Sequence, residues 1–127
     1  MRLISSPNAP TPVAAYSQAV ENDGLVFTAG QLGTDPKSGE LADGVEAQAD
    51  QAFRNISAIL QEAGSSFGDV VKVNIFMADL AHFAAVNAVY ERYVGSHRPA
   101  RTTTGASALP KGALIEVDVI AAKRSAS

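Results

Sequence analysis

Apolar positions recur along this chain at two spacings, and the switch between them marks out its elements. Leu25-Val26-Phe27-Thr28-Ala29-Gly30 reads as a strand entered through an Asn22-Asp23-Gly24 turn. From Val45 the spacing becomes helical. Val45, Ala49, Ala52, Phe53, Ile56, Ile59, Leu60 and Ala63 make one apolar stripe. Asp43, with Glu46 three residues on, predicts a capping-box start, and Gly64 predicts the end, because a left-handed residue costs glycine nothing. The stretch from Val70 to Ala78 is rich in β-branched and aromatic residues and predicts a strand. Asp79 then predicts the cap of a second helix, with Leu80, Phe83, Val86, Tyr90, Tyr93 and Val94 on its inner side. Arg98-Pro99 breaks the chain. Two strands follow, about Arg101–Ala108 and Leu114–Ala122, joined by Leu109-Pro110-Lys111-Gly112. The segments Pro7 to Pro12 and Asp35 to Gly39 read as loops.

This order, strand, helix, strand, helix, strand, strand, predicts one α+β domain over residues 1–127, with two helices covering one face of a sheet. In the last strand Ile115, Val117, Val119 and Ala121 suit the helix-covered side. Leu114, Glu116, Asp118 and Ile120 point the other way. That second face is half apolar. It predicts cover by another subunit, hence a homo-oligomer with sites at subunit contacts; a solvated face with scattered apolar residues is the alternative.

Composition narrows the function classes. The chain has 127 residues, 46% hydrophobic and 18% charged, which suits a packed core rather than a disordered chain. It has no cysteine, which excludes disulfides, a thiolate nucleophile and a Cys-ligated zinc. The two histidines, His82 and His97, read as solvated, so no metal site is expected. The net charge is −3, and no basic stripe is visible, so neither nucleic acid nor an anionic membrane is the expected partner. No apolar run approaches the ~20 residues of a membrane span. Met1 to Ser5 lack the apolar core of a signal peptide, and a cytoplasmic location is expected.

Arg101 opens a strand just after Pro99-Ala100, where a guanidinium fork on rigid backbone would suit a carboxylate; a surface arginine is the alternative. Glu116 sits between Ile115 and Val117 and is a candidate to orient or deprotonate water, or half of a structural ion pair. Asn87 shares a helical side with Phe83, Tyr90 and Val94 and needs a partner, either backbone or ligand. Tyr16 follows the proline-rich loop and offers an aromatic wall, or plain packing. Gly30 ends a strand without a Cβ, which allows close approach to the backbone or marks a simple bulge. Thr103 alone of Thr102-Thr103-Thr104 shares a face with Arg101. No phosphate loop, nucleophile elbow, zincin motif or dinucleotide fingerprint is present. These grounds alone lead as far as the expectation of an anion-binding oligomer and no further.

One resemblance goes further. Tyr16-Ser17-Gln18, Phe27-Thr28-Ala29-Gly30-Gln31, Val70 to Leu80, Val86-Asn87-Ala88-Val89-Tyr90, Pro99-Ala100-Arg101, Leu109-Pro110 and Leu114-Ile115-Glu116-Val117 together resemble the RidA (YjgF) family, in order and over nearly the whole chain. The resemblance implies a chorismate-mutase-like α+β fold, a homotrimer and a site in each cleft between subunits. It implies hydrolytic deamination of reactive enamine and imine acids, 2-aminoacrylate and 2-iminopropionate going to pyruvate and ammonia, with no metal or cofactor. Arg101 would bind the substrate carboxylate and Glu116 would hold or activate water. Tyr16, Gly30, Asn87 and Thr103 would line the pocket. The other readings are a non-catalytic small-carboxylate-binding or regulatory trimer, a pathway-specific deaminase for a larger amino-substituted acid, and an endoribonuclease, which the acidic pI opposes. The chain departs from the family pattern at Ala14-Ala15, where Gly-Pro is usual, at Ala29, where serine is frequent, and at Thr104.

Overall fold

The helical stripe folds as its spacing dictates. In a computed structural model describing residues 1–124, the longer helix α1 spans Val45–Glu62 and buries Ala49, Ala52, Phe53, Ile56, Ile59 and Leu60. Its start differs from the capping-box expectation. Gly44 is the cap residue, at φ 89°, and no side chain caps the helix. Asp43 therefore lies one residue too early for its carboxylate to cap the first turn. At the other end Gly64 takes φ 79°, as predicted. The second helix, α2, spans Phe83–Val94. Asp79 caps the short 3₁₀ turn Leu80–His82 that leads into it, accepting from the Ala81 N–H at 2.9 Å. Leu80 and Phe83, expected on the inner side, are instead 49% and 43% exposed, at the turn and the helix start that follows it.

Seven strands form one mixed sheet: β1 (Arg2–Ile4), β2 (Ala19–Asn22), β3 (Leu25–Thr28), β4 (Gln31–Leu32), β5 (Val70–Met77), β6 (Ala100–Gly105) and β7 (Ile115–Ala122). The order is β1-β2-β3-β7-β5-β6, with β4 also paired to β7. β2 and β3 form a hairpin across the predicted Asn22-Asp23-Gly24 turn, with Asp23 at φ 52° and Gly24 at φ 79°; the sequence pattern does not predict β2 itself. β5 and β6 run parallel and are connected through α2; the other pairings are antiparallel. β6 ends three residues earlier than expected, where Ala106 N–H turns to the Met77 carbonyl at the end of β5.

Both helices cover one face of the sheet. Val73, Ile75 and Met77 of β5 and Ile115, Val117, Val119 and Ala121 of β7 are buried there. The Phe53 ring anchors this layer, its centroid 5.7 Å from Tyr90, 5.5 Å from Tyr93 and 6.3 Å from Phe67. Burying one such ring contributes about 1.5–3 kcal/mol. The other face carries Glu116, Asp118 and Ile120, half-buried, with Leu25 and Phe27 more open. His97, expected to be solvated, is half-buried instead, with Nε2 2.7 Å from the Val70 carbonyl. It closes the start of β5, which sequence spacing gives no means to see.

Candidate active site

Arg101 lies near the start of β6, an edge strand bonded only to β5. It sits opposite Val73, so its side chain leaves on the helix-covered face. There α2 presents Phe83, Asn87 and Tyr90, spaced i, i+4, i+7 on one side of the helix. Arg101 Nη1 donates to Asn87 Oδ1 at 2.7 Å, and Asn87 Nδ2 donates to Glu91 Oε1 at 3.3 Å. The guanidinium carbon lies 4.7 Å from the Tyr90 ring centroid and 5.4 Å from that of Phe83. Arg2, Arg54 and Arg124 each pair with a carboxylate, but Arg101 has none among the described residues. A half-buried guanidinium with most of its five N–H donors unspent is suited to a carboxylate. It opens on a cleft of about 200 Å³ that Arg98 and Pro99 also line.

Thr103 follows on the same face, opposite Ile75. Its Oγ1 is buried and has no hydrogen-bond partner among the described residues. Such a group costs ~1–3 kcal/mol when left unmet.

Glu116 occupies the centre of the sheet, opposite Phe76 of β5 and Leu32 of β4. Between Phe27↔Ile120 and Gln31↔Val117 the chain takes four residue steps on one side and three on the other. The extra residue is a bulge, and Gly30 sits in it. A Cβ on Gly30 would run into Glu116 Oε2, so the carboxylate lies against bare backbone. Burial, and then the Asp118 charge, push the Glu116 carboxyl above its ordinary range. Asp118 itself accepts from Asn74 Nδ2 at 2.7 Å, which accounts for it as a structural partner.

Tyr16 joins Gly30 and Glu116 around a cavity of about 380 Å³, with Val13, Leu32 and Lys111. Gln18 holds the proline-rich loop that carries Tyr16. Its Oε1 accepts from Ser6 N–H at 2.6 Å, and its Nε2 reaches the carbonyls of Ser6, Ala9 and Pro10 at 2.9–3.3 Å. Asn55 of α1 performs the same service for β4, donating to the carbonyls of Leu32 and Thr34 at 3.1 and 2.9 Å.

The six candidate residues thus fall into two groups. Arg101, Asn87 and Thr103 lie on the helix-covered side near the β6 edge. Tyr16, Gly30 and Glu116 surround a cavity on the opposite side of the sheet. The cleft beside Arg101 does not reach Glu116, and the cavity beside Glu116 does not reach Arg101. The aromatic neighbours of Arg101 were visible as helical spacing, but the buried Gln18 and Asn55 were not, since their partners are loop carbonyls that no pattern marks.

A family model described as Endoribonuclease L-PSP matches residues 6–123. The goat 2-iminobutanoate/2-iminopropanoate deaminase is 46% identical over 121 residues, covering 94% of this chain and 88% of its own. The chain belongs to the RidA family. RidA from an Antarctic Psychrobacter superposes with a TM-score of 0.94 at 43% identity, covering 96% of this chain and 99% of that one. Escherichia coli TdcF, solved with bound serine, superposes with a TM-score of 0.94 at 33% identity, covering 98% of this chain and 100% of its own. The α+β architecture expected from the RidA resemblance is therefore the observed one, and at the level of the family the activity is that of an imine deaminase, a hydrolase.

Proposed function

We propose that this RidA-family chain is a single cytoplasmic domain that hydrolyses 2-iminopropanoate and 2-iminobutanoate to the 2-oxo acid and ammonia. The site is a cleft between subunits of a homotrimer. One observation carries the reading: the two groups of candidate residues look to opposite sides of one sheet, and each lacks what the other supplies. Arg101 has donors but no carboxylate, and Glu116 has a proton-accepting group but no anchor for an anion. Two copies of the chain would complete the site by placing the β6 edge of one against the Tyr16–Glu116 cavity of the next.

In that cleft Arg101 grips the substrate carboxylate, and the orphan Thr103 hydroxyl gains an oxygen acceptor. Tyr16 and Gly30 bound the space around the C=N carbon. Glu116 takes a proton from water as its oxygen bonds to that carbon and the C=N electron pair moves to nitrogen. That proton passes to nitrogen; Glu116 then takes the hydroxyl proton of the adduct and passes it to nitrogen as well, so the C–N bond breaks as ammonia leaves and the carbonyl forms. A carboxyl raised by burial holds a proton more readily than an ordinary one, which suits a group that must both take and return it. Proton transfer of this kind contributes ~10²–10⁴-fold, and a fixed carboxylate grip adds orientation.

The test is ammonia and pyruvate release from 2-aminoacrylate generated in situ. Arg101→Ala should abolish acceleration with the trimer intact, and Glu116→Gln should keep binding while losing turnover. Co-expressing the two inactive variants should restore activity at about one quarter of the sites, since random assembly pairs an intact Arg101 with an intact Glu116 that often. Mixed trimers with no activity would refute a site shared between chains. Full activity in Arg101→Ala would refute the anchor.

A further inference from the structure

The Arg101 anchor raises a physical difficulty. Arginine carries a long, rotamer-rich side chain, and fixing it on substrate binding costs affinity unless the fold has fixed it beforehand. Asn87 supplies one hydrogen bond, which leaves rotation about the Nη1 contact. The two ring contacts supply the remainder. Tyr90 is accounted for by the core, since it is buried and packs on Phe53. Phe83 is not. It opens α2, stays 43% exposed, lies outside the buried core cluster, and has Arg101 5.4 Å from its ring centroid. A smaller aliphatic residue would satisfy the helix start equally well. Only an aromatic ring offers a negative face to a cation.

We propose that Phe83 is a positioning residue: with Tyr90, its ring holds the Arg101 guanidinium in a carboxylate-receiving orientation before any ligand arrives. This deepens the deaminase reading and rests on Arg101 as carboxylate anchor. It assigns Phe83 a role through Arg101 rather than direct contact with the reacting atoms, and makes the π-face, not apolar bulk, the property that matters.

Replacement by Leu, Tyr and Trp separates the two properties. Phe83→Leu keeps apolar bulk and loses the ring; Tyr and Trp keep a ring, with Trp the strongest cation partner. Two readouts are taken on the full protein. The first is the side-chain Nε–H resonance of Arg101, assigned by its loss in Arg101→Lys, which ring currents displace whether or not ligand is present. The second is the Kd for 2-oxobutanoate, a stable carboxylate with the product's skeleton. Phe83→Leu should move the Arg101 resonance toward the position of a solvated arginine and weaken 2-oxobutanoate roughly three- to tenfold, and Trp should restore both. Arg101→Ala serves as the reference for total loss. A Leu variant with wild-type resonance and affinity would overturn the proposal while Arg101→Ala still loses binding, and so would weakened binding that Tyr and Trp fail to rescue. Wild-type affinity in Arg101→Ala would remove the anchor itself, and the role of Phe83 with it.

Discussion

Replacing Gly30 with alanine adds one methyl group, and the structure says where it goes. The new Cβ would overlap Glu116 Oε2 and stand 2.9 Å from Cδ and 3.1 Å from Cγ. Carbon atoms pack best at about 3.5–4.0 Å, so the carboxylate carbon must withdraw by roughly 0.6–1 Å, and the overlapped Oε2 by more than about 1 Å. Gly30 is not among the residues at positive φ, so alanine meets no backbone strain there. The cost to the fold is that of moving the end of a flexible side chain, about 0.5–1.5 kcal/mol for an off-rotamer torsion. The cost to catalysis is larger, because a 1 Å misplacement of a reacting group is worth ~10²-fold. Gly30→Ala should therefore lower kcat/KM for imine hydrolysis by ~10–100-fold, roughly 1.4–2.7 kcal/mol of barrier, with little change in Tm. A double-mutant cycle sharpens this. Glu116→Ala removes all three atoms that the methyl group meets, so adding Gly30→Ala to it should cost nothing further. Wild-type activity in Gly30→Ala, or additive losses in the double variant, would show that Gly30 serves the bulge and not the carboxylate.

Asp118→Asn removes the like charge that helps raise Glu116. In the proposed mechanism Glu116 must be ionised to accept a proton from water, so activity falls on the acid side as it protonates. With the neighbouring charge gone, its pKa drops toward the ordinary range, and the acid limb of kcat/KM should move to lower pH than in the wild type. Burial is the larger cause and stays, so the limb should move only part of the way; an unmoved limb in the pH profile would remove Asp118 as a contributor. Asn55→Ala strips two buried donors from the carbonyls of Leu32 and Thr34 and should destabilise the fold by about 2–3 kcal/mol in a denaturant titration. Since Leu32 pairs directly with Glu116, the same variant should also lose activity.

What neighbouring residues encode was legible without coordinates. Period 3.6 in Ala49–Leu60 dictated α1, the Asp23-Gly24 pair dictated the turn before β3, and alternation in β7 assigned one side to the core and left Glu116 on the other. The family motifs marked Arg101 and Glu116 as the two groups to watch, and membership confirms that resemblance. Contacts between distant segments were not legible. β4 has two residues, too few for any period to declare it, and it exists because β7 lies beside it. Gln18 and Asn55 look like ordinary polar residues until the carbonyls they hold come within 3.3 Å. Asp43 carried a capping signal that a single-residue shift in the helix start made void. Above all, sequence spacing names Arg101 and Glu116 without relating them. Arg101 pairs with Val73 and Glu116 with Phe76, positions of opposite parity on β5. The pleat of one strand therefore turns the two candidate groups to opposite faces, and only strand pairing decides that.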